Sequence, residues 1–594
     1  MNTGILSLPA EVWLKIARYL TIQSIRTLKL SSRYLNEVIT SNEWSAYHNA
    51  ALNHAYVVDS QFSLSEAKIQ NSRYPVGDVE CATWGEYCRQ CFVLDTKWAG
   101  ISKIDEARSK NKTRGYCTES RDVHQFKVDE QRGLLFTSGR GEVSRSAITV
   151  TSLQTGKTLW QTQPGYIRKR AHVEYDNGYL VFDAKTNDGE KEVWRLADEM
   201  DDQAESTMPP DGHQIRQHLH TKARFGASGP GILRPWAFMP SPEAAHTFRL
   251  VYPTLLAASK DTAYLWDITT GTLEQTLPGL QTAEEGTEPL GEIRSVDVNA
   301  EHIVLCGENE VHVIARAGGA LVFRMPGKTG FAKTVLWPDI PTPHQRKRYE
   351  DAPLTERLDA GTVVSSAGER PWKQFRAAYL SACGRDLACL LQDGRLVLIR
   401  DFEGVAEQGR AIEDVALEVN FTYRRSRDKR VGYCLAFKQG RVAVVTSAGM
   451  FVVTLDACTR RLLDREPPPP IIQGKGKGRA TDPPIGSPTA AENARASDVV
   501  ITFLLRMSDR ELMADVSCVQ MSATCVYVVY KASRVELQQG DIMEAKSGTA
   551  AYLWDGEPCF LDEVMHVGTN YHTREWLPLE TEPGNSIYCI DFSA

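Results

Sequence analysis

Residues 1–54 carry apolar side chains at the three- and four-residue spacing of amphipathic helices. Pro9 is tolerated where a helix begins, because its missing N–H would be unpaired there anyway, and Thr21 can cap a second helix. Thr40 and Glu43 have the spacing of a capping box and predict the start of a fourth helix. The apolar positions of the four predicted helices are Val12, Ile16 and Leu20; Ile22, Ile25, Leu28 and Leu30; Tyr34, Leu35, Val38 and Ile39; and Trp44, Tyr47 and Leu52.

This helical head holds more apolar surface than so short a bundle can hide. A small domain buries a smaller fraction of its surface than a large one. An apolar face that stays uncovered on a soluble protein commonly marks a contact with a partner. The pattern therefore predicts a small helical module with a face for docking.

Residues 55–114 are predicted to be a helical linker, because apolar positions recur there at helical spacing. These positions are Trp84, Tyr87, Cys88, Cys91 and Leu94, with Trp98 one turn further on. Cys88 and Cys91 also have the C-x-x-C spacing of zinc ligands. Structural zinc usually takes two such pairs, and only Cys81 and Cys117 lie nearby. We favour the helix and keep zinc as the alternative.

From about residue 115 the apolar spacing changes to the alternation of β-strands, and the same pattern repeats. Each copy has an apolar strand, a polar turn, a second strand, another turn and a third strand. Each copy also has a strand before it. The seven copies lie at 133–160, 178–198, 254–277, 302–325, 386–404, 441–456 and 525–555.

Four strands per copy correspond to one blade of a β-propeller, whose blades stack in a ring because a single blade cannot bury both faces. The predicted fold is therefore mostly β: a helical head (1–54), a helical linker (55–114) and a propeller of about seven blades (115–594). A pair of β-sandwiches is the alternative, but sandwiches have no reason to repeat. The last strand, 586–594, either closes the ring against the strand near Tyr116 or belongs to an eighth blade.

Composition narrows the class of protein. The formal net charge of −7 argues against a general nucleic-acid binder. The sequence shows no apolar run long enough for a membrane span and no secretory signal. Its thirteen cysteines are irregularly spaced and often lie in apolar strands, as in proteins of a reducing compartment. We expect a cytoplasmic or nuclear protein that needs no cofactor and binds neither nucleic acid nor membrane.

The insertions between the repeats offer few candidates for chemistry. Residues 466–498 are rich in proline and glycine and are predicted to be disordered. The histidines His213, His218 and His220 fall in a predicted loop and are interpreted as solvated rather than metal-binding. No nucleophile turn, zinc-protease helix, dinucleotide fingerprint or P-loop is found. Four arginines lie near strand ends or turns, where a guanidinium can pair with phosphate or stay solvated at the rim: Arg140, Arg145, Arg385 and Arg395.

The head resembles an F-box. The matching residues are Leu8, Pro9, Glu11, Ile16, Leu20, Leu28, Leu30, Ser32, Arg33, Leu35 and Trp44, with Ser32 standing where many members carry a basic residue. The linker is similar to the segment that joins an F-box to a WD-repeat propeller, at Trp84, Arg89, Gln90, Asp95, Trp98 and Gly100. The repeats resemble WD repeats more weakly. Trp266-Asp267 and Trp554-Asp555 carry the dipeptide, and the recurrent Gly-His of such repeats is missing.

This resemblance implies a non-catalytic substrate-recognition subunit of a Skp–cullin–F-box ubiquitin ligase. The adaptor-binding residues would be Leu8, Pro9, Glu11, Ile16, Leu20, Leu28, Leu30 and Trp44. The head would bind the Skp adaptor and, through it, a cullin–RING ligase. The propeller would hold a protein substrate, with phosphorylated segments among the candidates, at residues the sequence does not identify. Two alternatives stay open: a propeller scaffold outside any ligase, and a propeller enzyme with an accessory helical head.

Overall fold

Helices precede a ring of β-sheets in this computed structural model of the chain. The structure describes residues 8–54, 56–57, 61–70, 81–101, 112–116, 123–139, 146–185, 189–200, 206–240, 243–283, 288–327, 334–341, 355–359, 361–365, 374–381, 383–421, 431–455, 499–504, 507, 513–530, 542–544, 550–554, 557–560 and 586–592. The proline- and glycine-rich insertion at 466–498 therefore lies outside the described residues, as do Arg140 and Arg145.

The helices before the ring agree with the predicted periodicity. They are α1 (Ala10–Ala17), α2 (Ile22–Ser31), α3 (Arg33–Ser41), α4 (Glu43–Asn53), α5 (Leu64–Gln70) and α6 (Trp84–Trp98). Pro9 occupies the N-cap position of α1. The predicted cap of α2 is confirmed, because Thr21 Oγ1 accepts a hydrogen bond from the Ser24 amide at 3.3 Å.

The predicted capping box at Thr40 is wrong. Thr40 lies inside α3, which runs on to Ser41 because Val38 and Ile39 are buried and hold its last turn. Asn42 is the N-cap of α4, and its side chain donates to the Val38 carbonyl at 2.9 Å instead of capping α4. A spacing of Thr and Glu matches a capping box only where the preceding helix has ended.

Helix α6 confirms the helical interpretation of the linker pattern. It starts with a capping box, in which Thr83 and Glu86 satisfy each other's backbone amides. Cys88 and Cys91 are both buried in the core that this helix shares with α4, and the Cys88 thiol donates to the Tyr47 carbonyl at 3.3 Å. Burial raises the pKa of both thiols. Both cysteines thus contribute to helix packing.

The first four blades contain the predicted repeats, except that the fourth strand of blade 2 lies outside the predicted copy at 178–198. Each is an antiparallel sheet of four strands. Strand β1 (Lys112–Tyr116), which precedes blade 1 in the chain, is the outer strand of blade 7. Blade 1 contains β2 (Val123–Asp129), β3 (Leu134–Gly139), β4 (Ile148–Ser152) and β5 (Thr158–Gln161). Blade 2 contains β6 (Val173–Asp176), β7 (Tyr179–Asp183), β8 (Lys191–Leu196) and β9 (Leu233–Met239). Blade 3 contains β10 (Thr247–Val251), β11 (Thr254–Ala258), β12 (Thr262–Asp267) and β13 (Thr272–Pro278), and blade 4 contains β14 (Ile293–Val298), β15 (His302–Gly307), β16 (Glu310–Ala315) and β17 (Leu321–Pro326).

The next two blades are widened by strands from an insertion, namely β18 (Thr334–Trp337), β19 (Thr355–Leu358) and β20 (Thr362–Ser365). Blade 5 contains β21 (Phe375–Leu380), β22 (Leu387–Leu391), β23 (Arg395–Ile399) and β24 (Leu417–Asn420), with helices α8 (Phe402–Glu407) and α9 (Ile412–Val415) before β24. Strand β18 pairs in parallel with β24 and antiparallel with β20. Blade 6 contains β25 (Gly432–Lys438), β26 (Arg441–Thr446), β27 (Gly449–Thr454) and β28 (Val500–Leu504), and β19 pairs with β28.

Blade 7 closes the ring with strands from both ends of the described chain. It contains β29 (Val519–Met521), β30 (Cys525–Tyr530) and the terminal strand β34 (Ser586–Asp591), with β1 as its outer strand. Tyr116 lies opposite Ile587, so the terminal strand closes a seven-bladed ring, and the eighth-blade alternative does not hold. The β2, β6, β10, β14, β21, β25 and β29 strands contact one another around the centre.

The seventh predicted repeat is correct only in part. Its first strand is β30, but Trp554-Asp555 does not mark the same blade. The Ala550–Trp554 strand pairs with Ile542–Glu544 and Glu557–Phe560 in a separate three-stranded sheet, numbered β31 to β33 in chain order. The terminal strand takes the third place in blade 7 because it can bury both faces: Ile587 and Cys589 pack towards blade 1, and Tyr588 and Ile590 towards blade 6.

The hydrophobic core is divided among the seven gaps between neighbouring blades. The gap between blades 6 and 7 differs from the others, because its core continues into the helical head. Val445 of blade 6 and Val528 of blade 7 belong to the same cluster as Ile25, Tyr87 and Trp98. The head is therefore packed onto the ring.

A chain of charges crosses the central channel through blades 1 to 4. Lys127 Nζ lies 2.9 Å from Glu174 Oε1, and His172 Nε2 lies at the same distance from that oxygen. Arg249 links Glu174 Oε2 to Asp297 Oδ1, at 3.4 Å each. Burial alone would raise the pKa of Glu174, but the Lys127 and Arg249 cations outweigh it and hold that pKa well below its usual range.

We predict that Glu174→Gln makes the free energy of unfolding less dependent on pH under acid conditions. A carboxyl whose pKa is depressed by folding stabilises the protein above its unfolded pKa of about 4.3, and that contribution is lost as the pH falls further. In urea unfolding, wild type should lose free energy of unfolding between about pH 5 and pH 3, while the variant starts about 3 kcal/mol lower and changes less. Exposed Glu407→Gln is the control. Parallel acid limbs for wild type and Glu174→Gln would contradict the prediction.

Candidate docking surface on the helical head

The last turn of α6 is held on the propeller by a buried ion pair. Arg441 Nη2 lies 2.9 Å from Asp95 Oδ1, and both side chains are almost completely buried. Arg441 Nη1 also donates to the Ala523 carbonyl at 3.4 Å, and its guanidinium carbon lies 4.9 Å from the centre of the Trp98 ring. We call Asp95, Trp98 and Arg441 the linker latch.

Trp98 adds three contacts with the ring, one of them to the Ala523 carbonyl that Arg441 also contacts. Its indole stacks on Phe592 with ring centres 3.8 Å apart, and its Nε1 donates to the Ala523 carbonyl at 3.1 Å. Its own carbonyl accepts from Thr502 Oγ1 at 2.7 Å. Because α6 has buried contacts with both blade 6 and blade 7, it packs on the ring in one position. The head is thereby carried at a defined place on the propeller.

The head helices bury only part of their apolar surface. Trp13, Leu35 and Val38 form a small core between α1 and α3. On the other side, Ala17 and Ile25 enter the large core shared with α6. Helix α1 therefore faces inwards through Trp13 and Ala17.

A set of large apolar side chains stays exposed on the head. Val12 and Ile16 are four residues apart and share the outward side of α1, and exposed Tyr19 follows two residues after that helix ends. Tyr19 is 87% exposed, Leu30 at the end of α2 is 79% exposed, and Trp44 on α4 is 61% exposed. We call the full set the exposed head residues: Val12, Ile16, Tyr19, Leu30, Tyr34 and Trp44.

Two contacts fix where these residues lie. The Tyr34 hydroxyl donates to the Leu8 carbonyl at 3.3 Å, so the start of α3 lies beside the entrance to α1. Leu30 lies near the end of α2, four residues before Tyr34, and extended Ser32 separates the two helices. Trp44 stacks on His48 with ring centres 4.9 Å apart, and the His48 ring meets Trp84 edge-on at 4.7 Å. Burial lowers the pKa of His48, which favours the neutral imidazole in this stack.

The adaptor-binding residues predicted from sequence fall into two groups. Exposed members are Pro9, Glu11, Ile16, Leu30 and Trp44, while Leu8, Leu20 and Leu28 are half-buried. Leu20 packs against the large core and Leu28 against both head cores, so these two also support the fold. Sequence reasoning did not select Val12, Tyr19 and Tyr34 as site residues. For Val12 and Tyr19, the signal in the sequence was the four- and three-residue spacing of Val12, Ile16 and Tyr19.

Of the two arginine candidates among the described residues, Arg385 is exposed, and Arg395 makes structural contacts. Arg395 is buried, with its Nε 2.9 Å from Asp393 Oδ2 and an Nη 3.5 Å from Glu418. In the central channel, Glu174 and Asp297 both form ion pairs with Arg249. Within the described residues, no group of three or more histidine, cysteine or acidic side chains is placed to hold a metal ion. None of the described helices combines the length and hydropathy that a membrane crossing requires.

The predicted loop around His213, His218 and His220 is wrong. These histidines lie on a helix, α7 (Gly212–Phe225), within the connection from β8 to β9. Asp211 and Gln214 form its capping box, and Gly226 ends it with a positive φ of 94°. The helix was missed because its buried positions are polar, namely Gln214, Gln217 and Thr221, so apolar periodicity does not reveal it.

The chain matches no protein-family model, and no curated protein sequence matches it. Among solved structures it is similar to the WD40 repeats of RRP9, with 10% identity and a TM-score of 0.35 over 58% of this chain and 79% of that one. U3-55K is similar at 9% identity and a TM-score of 0.34, over 58% and 80%. The β-propeller domain of Cps50 (Swd1) from Myceliophteria thermophila is similar at 9% and 0.33, over 56% and 83%. The assignment of the fold rests on the sheet topology.

Proposed function

We propose that the chain is the substrate-recognition subunit of a Skp–cullin–F-box ubiquitin ligase. The observation that carries the proposal is the coincidence of the F-box-like residues with an uncovered apolar surface. Ile16, Leu30 and Trp44 belong to the F-box pattern and are also exposed, although all three are large and apolar. Solvent exposure of several such side chains costs free energy that a partner recovers when it covers them.

The head would bind the Skp adaptor through the exposed head residues, together with Leu8, Pro9 and Glu11. The propeller would bind the protein substrate. Because the linker latch holds the head on the ring, a substrate bound to the propeller would stay at a fixed distance from the adaptor. Such tethering raises the effective concentration of one reactant near another, and it requires no bond chemistry from this chain.

Co-purification tests the proposal. We expect the full chain, expressed with a tagged Skp adaptor and a cullin, to retain both proteins through affinity and size-exclusion steps. Retention of the adaptor without the cullin would favour the alternative, a propeller scaffold that uses the adaptor outside a ligase. Failure to retain the adaptor would refute the F-box assignment.

A further inference from the structure

Helix α7 carries a second unusual surface, far in sequence from the head. Its inward side is polar and its outward side holds Ile215 and Leu219, which are 45% and 61% exposed. The two residues are four positions apart, so their side chains lie next to each other on the helix. A surface helix usually has the opposite arrangement, with apolar residues facing the core.

The inward side fixes α7 firmly against the outer edge of blade 2. Gln214 Nε2 donates to the carbonyls of Val193 and Ala237, at 3.3 Å and 3.2 Å. The His213 ring stacks on Tyr166 with ring centres 4.6 Å apart and planes 2° from parallel. These contacts hold the helix in one place. A surface that is already ordered loses little entropy when a partner binds.

Helix α7 is positively charged, and Arg216 and Lys222 flank the two aliphatic residues while Arg224 lies over the Phe225 ring. Helix α7 contains Arg216, Lys222 and Arg224 and no aspartate or glutamate. All three cations are exposed, and none of them forms an ion pair with a carboxylate in the described ranges of the chain. The outward side therefore combines a small apolar centre with an unneutralised cationic rim, in a chain whose formal net charge is −7.

We propose that the outward side of α7 binds an acidic segment of a partner protein, one that presents at least two aliphatic side chains flanked by aspartate or glutamate. Ile215 and Leu219 cover the aliphatic side chains, while Arg216 and Lys222 attract the carboxylates. Complementary charge speeds association and orients the segment. An anionic bilayer fits less well, because the net negative chain is repelled by it and two aliphatic side chains anchor weakly. This site is independent of adaptor binding by the head.

Selection from a displayed library of random peptides tests the proposal on the full chain. Peptides are selected on wild type after depletion on Ile215→Gln/Leu219→Gln, a change to a good helix former at two exposed positions. We expect enriched peptides to be net acidic and to contain paired aliphatic residues. Their affinity should fall at least about tenfold, or about 1.4 kcal/mol, in this variant and in Arg216→Glu/Lys222→Glu. It should also fall between about 0.1 M and 1 M NaCl, where the screening length shrinks from about 10 Å to about 3 Å.

The matched control is Leu273→Gln/Leu321→Gln, which removes two exposed leucines from the edge strands of blades 3 and 4 and should leave peptide affinity unchanged. Enrichment of basic peptides, or no α7-dependent enrichment, would overturn the proposal. Two further results would also overturn it. One is α7-dependent binding to vesicles of phosphatidylcholine and phosphatidylserine. The other is a dimer in sedimentation velocity that Ile215→Gln/Leu219→Gln abolishes.

Discussion

Arg441→Met should lower the free energy of unfolding by about 3–5 kcal/mol, because it leaves the Asp95 carboxylate buried without its cation. Methionine keeps most of the side-chain volume, so the loss reports on charge more than on a cavity. The substitution also removes the guanidinium from the Trp98 ring. Urea unfolding followed by tryptophan fluorescence would measure the change, and hydrogen exchange would show α6 losing protection first.

The pH dependence of this defect separates a lost ion pair from lost packing. Removing Arg441 takes away a cation that favours the charged form of the buried Asp95 carboxyl. A carboxyl whose pKa is raised by folding destabilises the protein at high pH, so the defect of Arg441→Met should shrink as the pH falls. Adding Asp95→Asn should recover much of the loss at pH 7.

The control for the latch is an ion pair at the surface. Arg294 lies 3.1 Å from Glu292, and the two side chains are 32% and 68% exposed, so Arg294→Met should cost no more than about 1 kcal/mol. Equal losses for the two substitutions, or a defect of Arg441→Met that is insensitive to pH, would contradict the role given to the latch.

The repeats predicted the ring because their signal is local. Alternation along each strand and the turns between strands lie within one stretch of sequence, and seven copies leave few other architectures. The WD dipeptide at Trp554-Asp555 led to a wrong blade assignment because the pairing of its strand is not determined locally. A dipeptide does not determine which strand becomes its neighbour, and the terminal strand Ser586–Asp591 occupies the third position of that blade.

Contacts between distant residues could not be predicted in the same way. Asp95 and Arg441 are 346 positions apart, and nothing in a single sequence pairs them. Helical periodicity did locate an apolar face on α1, but it could not tell which apolar side chains would be covered. Trp13 and Ala17 are buried, because α3 covers Trp13 and the large core covers Ala17, while Val12 and Ile16 remain exposed.

Ile16→Lys/Leu30→Lys should weaken binding of the Skp adaptor at least about a hundredfold. Both side chains are exposed in the free chain, so their replacement should leave the head folded. Lysine is a good helix former, and both positions lie in the last turn of a helix, where a positive charge is favourable. Two anchor residues at about 2 kcal/mol each exceed the 2.8 kcal/mol or so that a hundredfold loss requires. Biolayer interferometry with purified adaptor would measure it.

Two comparisons make this result interpretable. Leu273→Lys/Leu321→Lys places the same charges on exposed leucines of the propeller edge and should leave adaptor affinity unchanged. Leu20→Ala removes a side chain that packs against the large core, so it should lower the free energy of unfolding, whereas the Ile16 and Leu30 variant should not. Binding and stability then change in different variants. If the Ile16→Lys/Leu30→Lys variant is folded and still binds the adaptor normally, the docking surface lies elsewhere on the chain.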